Sequence, residues 1–174
     1  GESFKYAAPV AGSLGYSVED TAIALGLMAS SGLKSSMAGS SLRTILTNLA
    51  KPTDDISDAM DYLGISLQNG DGSMKSLMDI VTDLRGAFGQ CKMPMDQFQE
   101  NLAKLDENYA NGELTEKKYN EALADLTEKA YGAEGALKAK YAATLAGKEG
   151  MSGLLSIVSA APEDFDKLTN AIYN

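Results

Sequence analysis

Stripes of apolar side chains recur at helical spacing along this chain, but a glycine or proline cuts them every ten to sixteen residues. Glycine reaches the left-handed conformation that ends helices, and proline lacks the N–H that a helix interior needs. The pattern therefore predicts many short rods and forbids one long helix. Rods that short are unstable alone in water, so their apolar faces must collapse together.

The rods read as follows. Tyr6, Val10 and Leu14 form a first stripe, with Pro9 early in it and Gly15 at its end. Ser17 is a good N-cap for a second helix, with Glu19 and Asp20 in the first turn. Its stripe is Ala22, Leu25 and Ala29, widened by Ile23 and Met28 and closed by Gly32. A third spans about 36–50 on Ala38, Leu42, Ile45, Leu46 and Leu49, and Pro52 stops it. A fourth spans about 54–63 on Ile56, Met60 and Leu63, with Gly64 as terminator. The period then changes. Ile65-Ser66-Leu67 alternates ahead of the turn sequence Asn69-Gly70-Asp71-Gly72, which predicts a tiny β-hairpin near 65–75. A fifth helix is expected over 73–88, with Leu77, Ile80, Val81, Leu84 and Phe88 inward.

Three segments differ in charge. Residues 1–88 carry 6 basic and 10 acidic groups, residues 89–134 carry 5 and 10, and residues 135–174 carry 4 and 4. The middle segment reads as two antiparallel amphipathic helices joined at Asn111-Gly112-Glu113. One face presents Met95, Phe98, Leu102, Leu105 and Tyr109, and the other Tyr119, Leu123, Leu126 and Ala130, with Thr115 as a cap. It is expected to be a separable αα-hairpin inserted at 89–134 between core parts 1–88 and 135–174. In the last part Leu137, Tyr141 and Leu145 share a face, Gly147, Gly150 and Gly153 interrupt it, and Leu154, Leu155 and Val158 resume it. Pro162 opens a final helix with Phe165, Leu168 and Ile172 inward. The expected fold class is all-α: a compact bundle of short helices, an inserted αα-hairpin and at most one tiny β-hairpin. Lys5 to Gly12 also matches Lys140 to Gly147 at six of eight positions, which reads either as two related helical halves or as coincidence in alanine-rich helix starts.

Composition narrows the chemistry. There is no His and no Trp, and Cys91 is the single cysteine. Ser-His-Asp and Cys-His catalysis, imidazole zinc sites and CxxC redox chemistry are thereby removed. A formal charge of −9 argues against binding a phosphate backbone, so no nucleic-acid partner is expected. The longest uncharged runs, 6–18, 21–33 and 150–162, fall short of the roughly 20 residues a membrane span requires, and no signal peptide is evident. A start at Gly1 without Met reads as a piece of a longer chain.

No residue is assigned a catalytic, cofactor-binding or metal-binding role. Asn69-Gly70-Asp71-Gly72 lacks the alternating oxygens and closing Glu of a calcium loop. Asp54, Asp58 and Asp61 share a helix face beside Asp55 and read as a solvated acidic surface. Gly26 and Gly39 inside helices suggest close helix–helix approach, and eight Met and eight Tyr suit adaptable packing or subunit contacts. Cys91 has no setting that would activate it as a nucleophile.

Several ordered blocks resemble the core region of phage tail tape-measure proteins. They are Phe4-Lys5-Tyr6-Ala7-Ala8-Pro9-Val10-Ala11-Gly12, Ala24-Leu25-Gly26-Leu27-Met28-Ala29, Ala38-Gly39-Ser40-Ser41-Leu42-Arg43-Thr44 and Leu49-Ala50-Lys51-Pro52. The resemblance continues through Leu63-Gly64-Ile65, Asp71-Gly72, Leu77-Met78-Asp79-Ile80 and Leu84-Arg85, and resumes over Ala146 to Leu155. It implies a non-enzymatic structural module of the virion tail, assembled in the host cytoplasm and contributing to tail length. Implied partners are tail tube, tail initiator or tail chaperone proteins, and self-association is expected from the Met- and Tyr-rich faces. The alternative is a membrane- or cell-wall-acting module that assists genome delivery.

Overall fold

A computed structural model describes residues 2–30, 32–33 and 35–173, except the side chains of Glu2, Ser3, Met95, Lys148 and Glu149. Nine helices are present among these residues: α1 (Glu2–Ser13), α2 (Val18–Ser30), α3 (Ser35–Ala50), α4 (Asp54–Leu63), α5 (Leu77–Phe88), α6 (Met95–Ala110), α7 (Glu116–Tyr131), α8 (Gly135–Ser159) and α9 (Pro162–Tyr173). The fold is an all-α bundle.

The architecture is built around α8. At Gly147 the helix breaks into two halves, with φ 69° and ψ 171°. The break removes helical partners from the carbonyls before it, and the Asn48 side-chain amide donates to the Leu145 carbonyl at 2.9 Å. Gly150 and Gly153, expected to interrupt the pattern, remain helical and serve a different purpose. Every residue from Gly150 to Ala160 is buried. A helix apolar on all sides has to be surrounded, and α2, α3, α4, α5, α6 and α7 all pack against α8. Its closest neighbour is α3, which runs antiparallel to it. A Cβ on Gly153 would lie 2.6 Å from Ser41 Cβ, and one on Gly150 would lie 3.3 Å from Ile45 Cγ1. The missing side chains let the two backbones approach.

The C-terminal end of α8 is capped by side chains. Arg85 Nη1 donates to the Ile157 carbonyl at 2.9 Å, and the Tyr131 hydroxyl donates to the Val158 carbonyl at 3.4 Å. A cation here also complements the negative end of the helix dipole. Arg85 continues over the Phe165 ring, 5.0 Å from its centroid.

Local signals place the outer helices. Ser17, Thr53 and Thr115 accept from the backbone N–H groups of Asp20, Ile56 and Lys118. Gly64 closes α4 in the left-handed region. Several expectations are corrected. The fifth helix starts at Leu77 rather than near Ser73, because Ser76 is its N-cap and accepts from Asp79 N. The β-hairpin reduces to an isolated antiparallel bridge, Gln68 to Met74. In α1 the buried residues are Ala7 and Ala11, while Tyr6 is 39% exposed, because packing against α3 selects small side chains. In α2 Ala29 is exposed and burial falls on Thr21, Ile23, Ala24, Leu25, Leu27 and Met28. Ile172, read as inward, is exposed, as is Leu137 of the Tyr141 and Leu145 face, and Phe165 and Leu168 are half-buried.

The hairpin of α6 and α7 lies along α8, chiefly through α7. Phe98, Leu102, Tyr119, Leu123, Leu126 and Ala130 are buried in the same hydrophobic cluster as the other helices. Leu105 and Tyr109 are half-buried, and the Met95 side chain lies outside the described residues. Alanines of the sequence echo occupy matching environments: Ala7 and Ala142 are both fully buried, as are Ala11 and Ala146.

These contacts make a contrast testable by denaturant unfolding. Gly153→Ala must push into Ser41 and should cost about 1–3 kcal/mol. Gly86→Ala, on an open face of α5 with nothing within 4 Å of its Cβ, should stabilise by about 0.5–1 kcal/mol. Equal effects at the two sites would refute the close approach of α3 and α8.

Candidate functional site

Two carboxylates that lie on apolar stripes each join three helices. Asp106 belongs to α6, one helical step of four beyond Leu102. Its Oδ1 accepts from the Tyr119 hydroxyl of α7 at 2.6 Å, and its Oδ2 accepts from the Ser152 hydroxyl of the buried half of α8. Burial pushes the Asp106 carboxyl above the usual range, and the two hydroxyl donors only partly offset this. Tyr119 is held above its ordinary value by burial first and then by the Asp106 charge. Its ring stacks on Tyr109 with centroids 4.5 Å apart. Asp106 thereby pins both arms of the hairpin to the central helix.

Asp20 forms the second junction. It is 4% exposed on α2. Its Oδ2 accepts from the backbone N–H of Met78 in the first turn of α5 at 3.1 Å, and its Oδ1 accepts from the Tyr173 hydroxyl at the end of α9. A carboxylate at a helix N-terminus meets unpaired N–H groups and the positive end of the dipole. The Asp20 bond raises the Tyr173 hydroxyl above its ordinary value. Neither junction was singled out from sequence. The available signal was an acidic residue in phase with core positions, Asp20 with Ala24 and Leu27, and Asp106 with Phe98 and Leu102.

The residues weighed from sequence lie apart from these junctions. Asp54, Asp55, Asp58 and Asp61 are exposed on α4. Asp71 Oδ1 accepts from the backbone and hydroxyl of Ser73, which closes the Asn69–Ser73 turn and lowers the Asp71 pKa. Cys91 is half-buried, with Sγ 3.5 Å from the Met93 carbonyl. Gly26 receives Leu168 of α9, whose methyl lies 3.1 Å from where a Cβ would be, so close approach there is to α9. Gly39 is buried on α3. Among the described residues, no group of three or more His, Cys, Asp or Glu side chains is placed to hold a metal.

The surface offers clefts. One of about 390 Å³ separates the α2–α3 turn from α6. Leu33, Met37, Leu102 and Ala103 supply apolar walls, with Asp106 and Glu107 beside them. A more open groove of about 570 Å³ runs between α7 and the first half of α8 over Ala124, Ala136, Ala139 and Ala143. Large apolar side chains also stand in solvent, among them Val18, Met74 and Tyr173.

The molecule is thus a helical packing unit whose polar interior ties helices together. A family model described as "Phage-related minor tail protein" matches residues 1–107. The chain belongs to that family. It is 32% identical to the "Tape measure protein" of Pneumococcus phage Dp-1 over 173 residues, 99% of this chain and 11% of that protein. It is 30% identical to the "Probable tape measure protein" of Escherichia phage P2 over 104 residues, 60% of this chain and 13% of that protein. It therefore spans only a small part of these relatives' length. No solved structure matches it. Family membership makes it part of a phage tail protein.

The Asp106 junction predicts a pH signature. A carboxyl whose pKa is raised by folding binds its proton more tightly in the native state, so its contribution to stability is lost as pH rises through the raised value. Asp106→Asn removes that titration and keeps an acceptor and a donor for the two hydroxyls. The stability of the variant relative to wild type, read from denaturant midpoints, should rise between acidic and neutral pH. A pH-independent difference would show that Asp106 titrates normally. Asp106→Leu should cost about 1–3 kcal/mol by stranding both hydroxyls.

Proposed function

We propose that this chain is a compact structural and interaction module of a phage or prophage tail tape-measure protein, acting in tail assembly and length determination through protein–protein contacts. The observation that carries the reading is the alignment of nearly the whole chain with a protein called a tape measure protein, of which it covers 11%. Its fold refines the role. As one straight helix, 174 residues would reach about 260 Å. Here the described residues are folded around α8, and the longest helix among them has 25 residues and a break inside it. Length measurement then belongs to other parts of the parent, and this module supplies contacts. Its partners are tail tube, tail initiator or tail chaperone proteins, or a second copy, met in the host cytoplasm during assembly and in the virion tail afterwards. The role is non-enzymatic. Among the described residues no helix is long and apolar enough to cross a membrane.

In-frame removal of these residues from the parent gene, with tails imaged by electron microscopy, tests the reading. Missing or aberrant tails are expected. Intact tails shortened by about 260 Å would mean that the segment is extended in the tail and measures length.

The division into 1–88, 89–134 and 135–174 is part of the same proposal. The hairpin meets the remaining helices mainly along one seam, α7 and α6 against α8. Joining Phe88 to Gly135 through a short linker should leave cooperative unfolding at a lower midpoint, because the covered face of α8 is uncovered. Loss of a cooperative transition would place the hairpin within the indivisible core.

A further inference from the structure

The chain contains two Asn-Gly pairs, Asn69-Gly70 and Asn111-Gly112, both exposed. We propose that Asn69-Gly70 is a site of spontaneous deamidation and isoaspartate formation in the folded protein, and that the fold protects Asn111-Gly112. Asparagine followed by glycine is the pair most open to this reaction, because no side chain on the following residue hinders ring closure. The attacking atom is the backbone nitrogen of the glycine, so the environment of that N–H decides between the two sites.

At Asn111 the backbone is held on all sides. The Asn111 N–H donates to the Glu107 carbonyl at 2.9 Å, the Gly112 N–H to Tyr109 at 3.1 Å and the Glu113 N–H to Asn108 at 2.9 Å. The would-be nucleophile is thus bound to a carbonyl, which hinders loss of its proton. At Asn69 the turn is closed by other groups. Asn69 N–H donates to the Ser73 carbonyl at 2.8 Å and Gly72 N–H to the Asn69 carbonyl at 3.0 Å. The Gly70 N–H lies between them at the tip of the turn and makes no hydrogen bond among the described residues. Asn69 Nδ2 donates to Ser73 Oγ at 3.0 Å, one exposed bond that must open.

The reaction balances with water and hydroxide alone. Hydroxide takes the Gly70 amide proton. The nitrogen bonds to Asn69 Cγ, and the Cγ–Nδ2 bond breaks with loss of ammonia, which takes its proton from water. Water then opens the succinimide at either carbonyl, giving aspartate or isoaspartate. Either product replaces the donor to Ser73 with a carboxylate close to Asp71, and isoaspartate also lengthens the backbone beneath the Gln68–Met74 bridge.

Incubation of the folded chain at mildly alkaline pH, followed by peptide mapping with mass spectrometry and isoaspartate detection, tests the inference. Asn69 is expected to convert severalfold faster than Asn111, and the two rates should become comparable in denaturant. Gly70 has a negative φ and open space at its Cβ position, so Gly70→Ala should fold normally, slow conversion at Asn69 and leave Asn111 unchanged. Conversion at Asn111 as fast as at Asn69 in the folded chain would overturn the assignment. So would an unmodified Asn69 after an incubation long enough to convert both sites in denaturant.

Discussion

The burial of α8 from Gly150 to Ser159 on every side is the constraint on which the remaining structure depends. Such a segment leaves no face for water, so other helices must enclose it, and its own small residues determine how near they come. Gly150 and Gly153 let α3 approach at Ser41 and Ile45. Ser152 and Ser156 are buried on the same segment, and Ser156 donates to the Ser152 carbonyl at 2.8 Å. The break at Gly147 lets the first half of α8 leave in a new direction, where Tyr141 stacks on Tyr62 of α4 with ring centroids 4.2 Å apart.

Apolar burial brings helices together without fixing their register, and polar junctions supply that. Asp20 ties α2, α5 and α9; Asp106 ties α6, α7 and α8; Arg85 ties α5 to the end of α8 and to Phe165. A carboxylate taken out of water contributes little net stability, since desolvation offsets much of its hydrogen bonding. Its value is directional: an alternative register would leave its partners unsatisfied. These titratable groups set geometry.

Legibility from the sequence followed the range of the interactions. The bounds of α4 were readable because Pro52 and Gly64 act within a turn or so of the helix they delimit. The α6–α7 hairpin was readable because its stripes and the Asn111-Gly112 turn are local. The start of α5 was not, since Ser73 and Ser76 are both competent caps and the bridge at Met74 decides between them. Tyr6 was placed on the apolar stripe by its spacing from Val10 and Leu14, whereas contact with α3 favoured Ala7 and Ala11. Gly150 and Gly153 look like breaks in sequence, yet their neighbours Ile45 and Ser41 lie about a hundred residues away. The Asp106–Ser152 bond, 46 residues apart, was invisible for the same reason.

This member of the phage-related minor tail protein family is a globule wrapped around a buried rod rather than one extended helix. Native-state hydrogen exchange resolved by residue tests that most directly. The backbone amides of 151–159 should be among the slowest in the chain and exchange only through global unfolding, at a rate set by total stability. Fast exchange there, matching that of the exposed helix α9, would mean that the segment is not enclosed and would contradict the account.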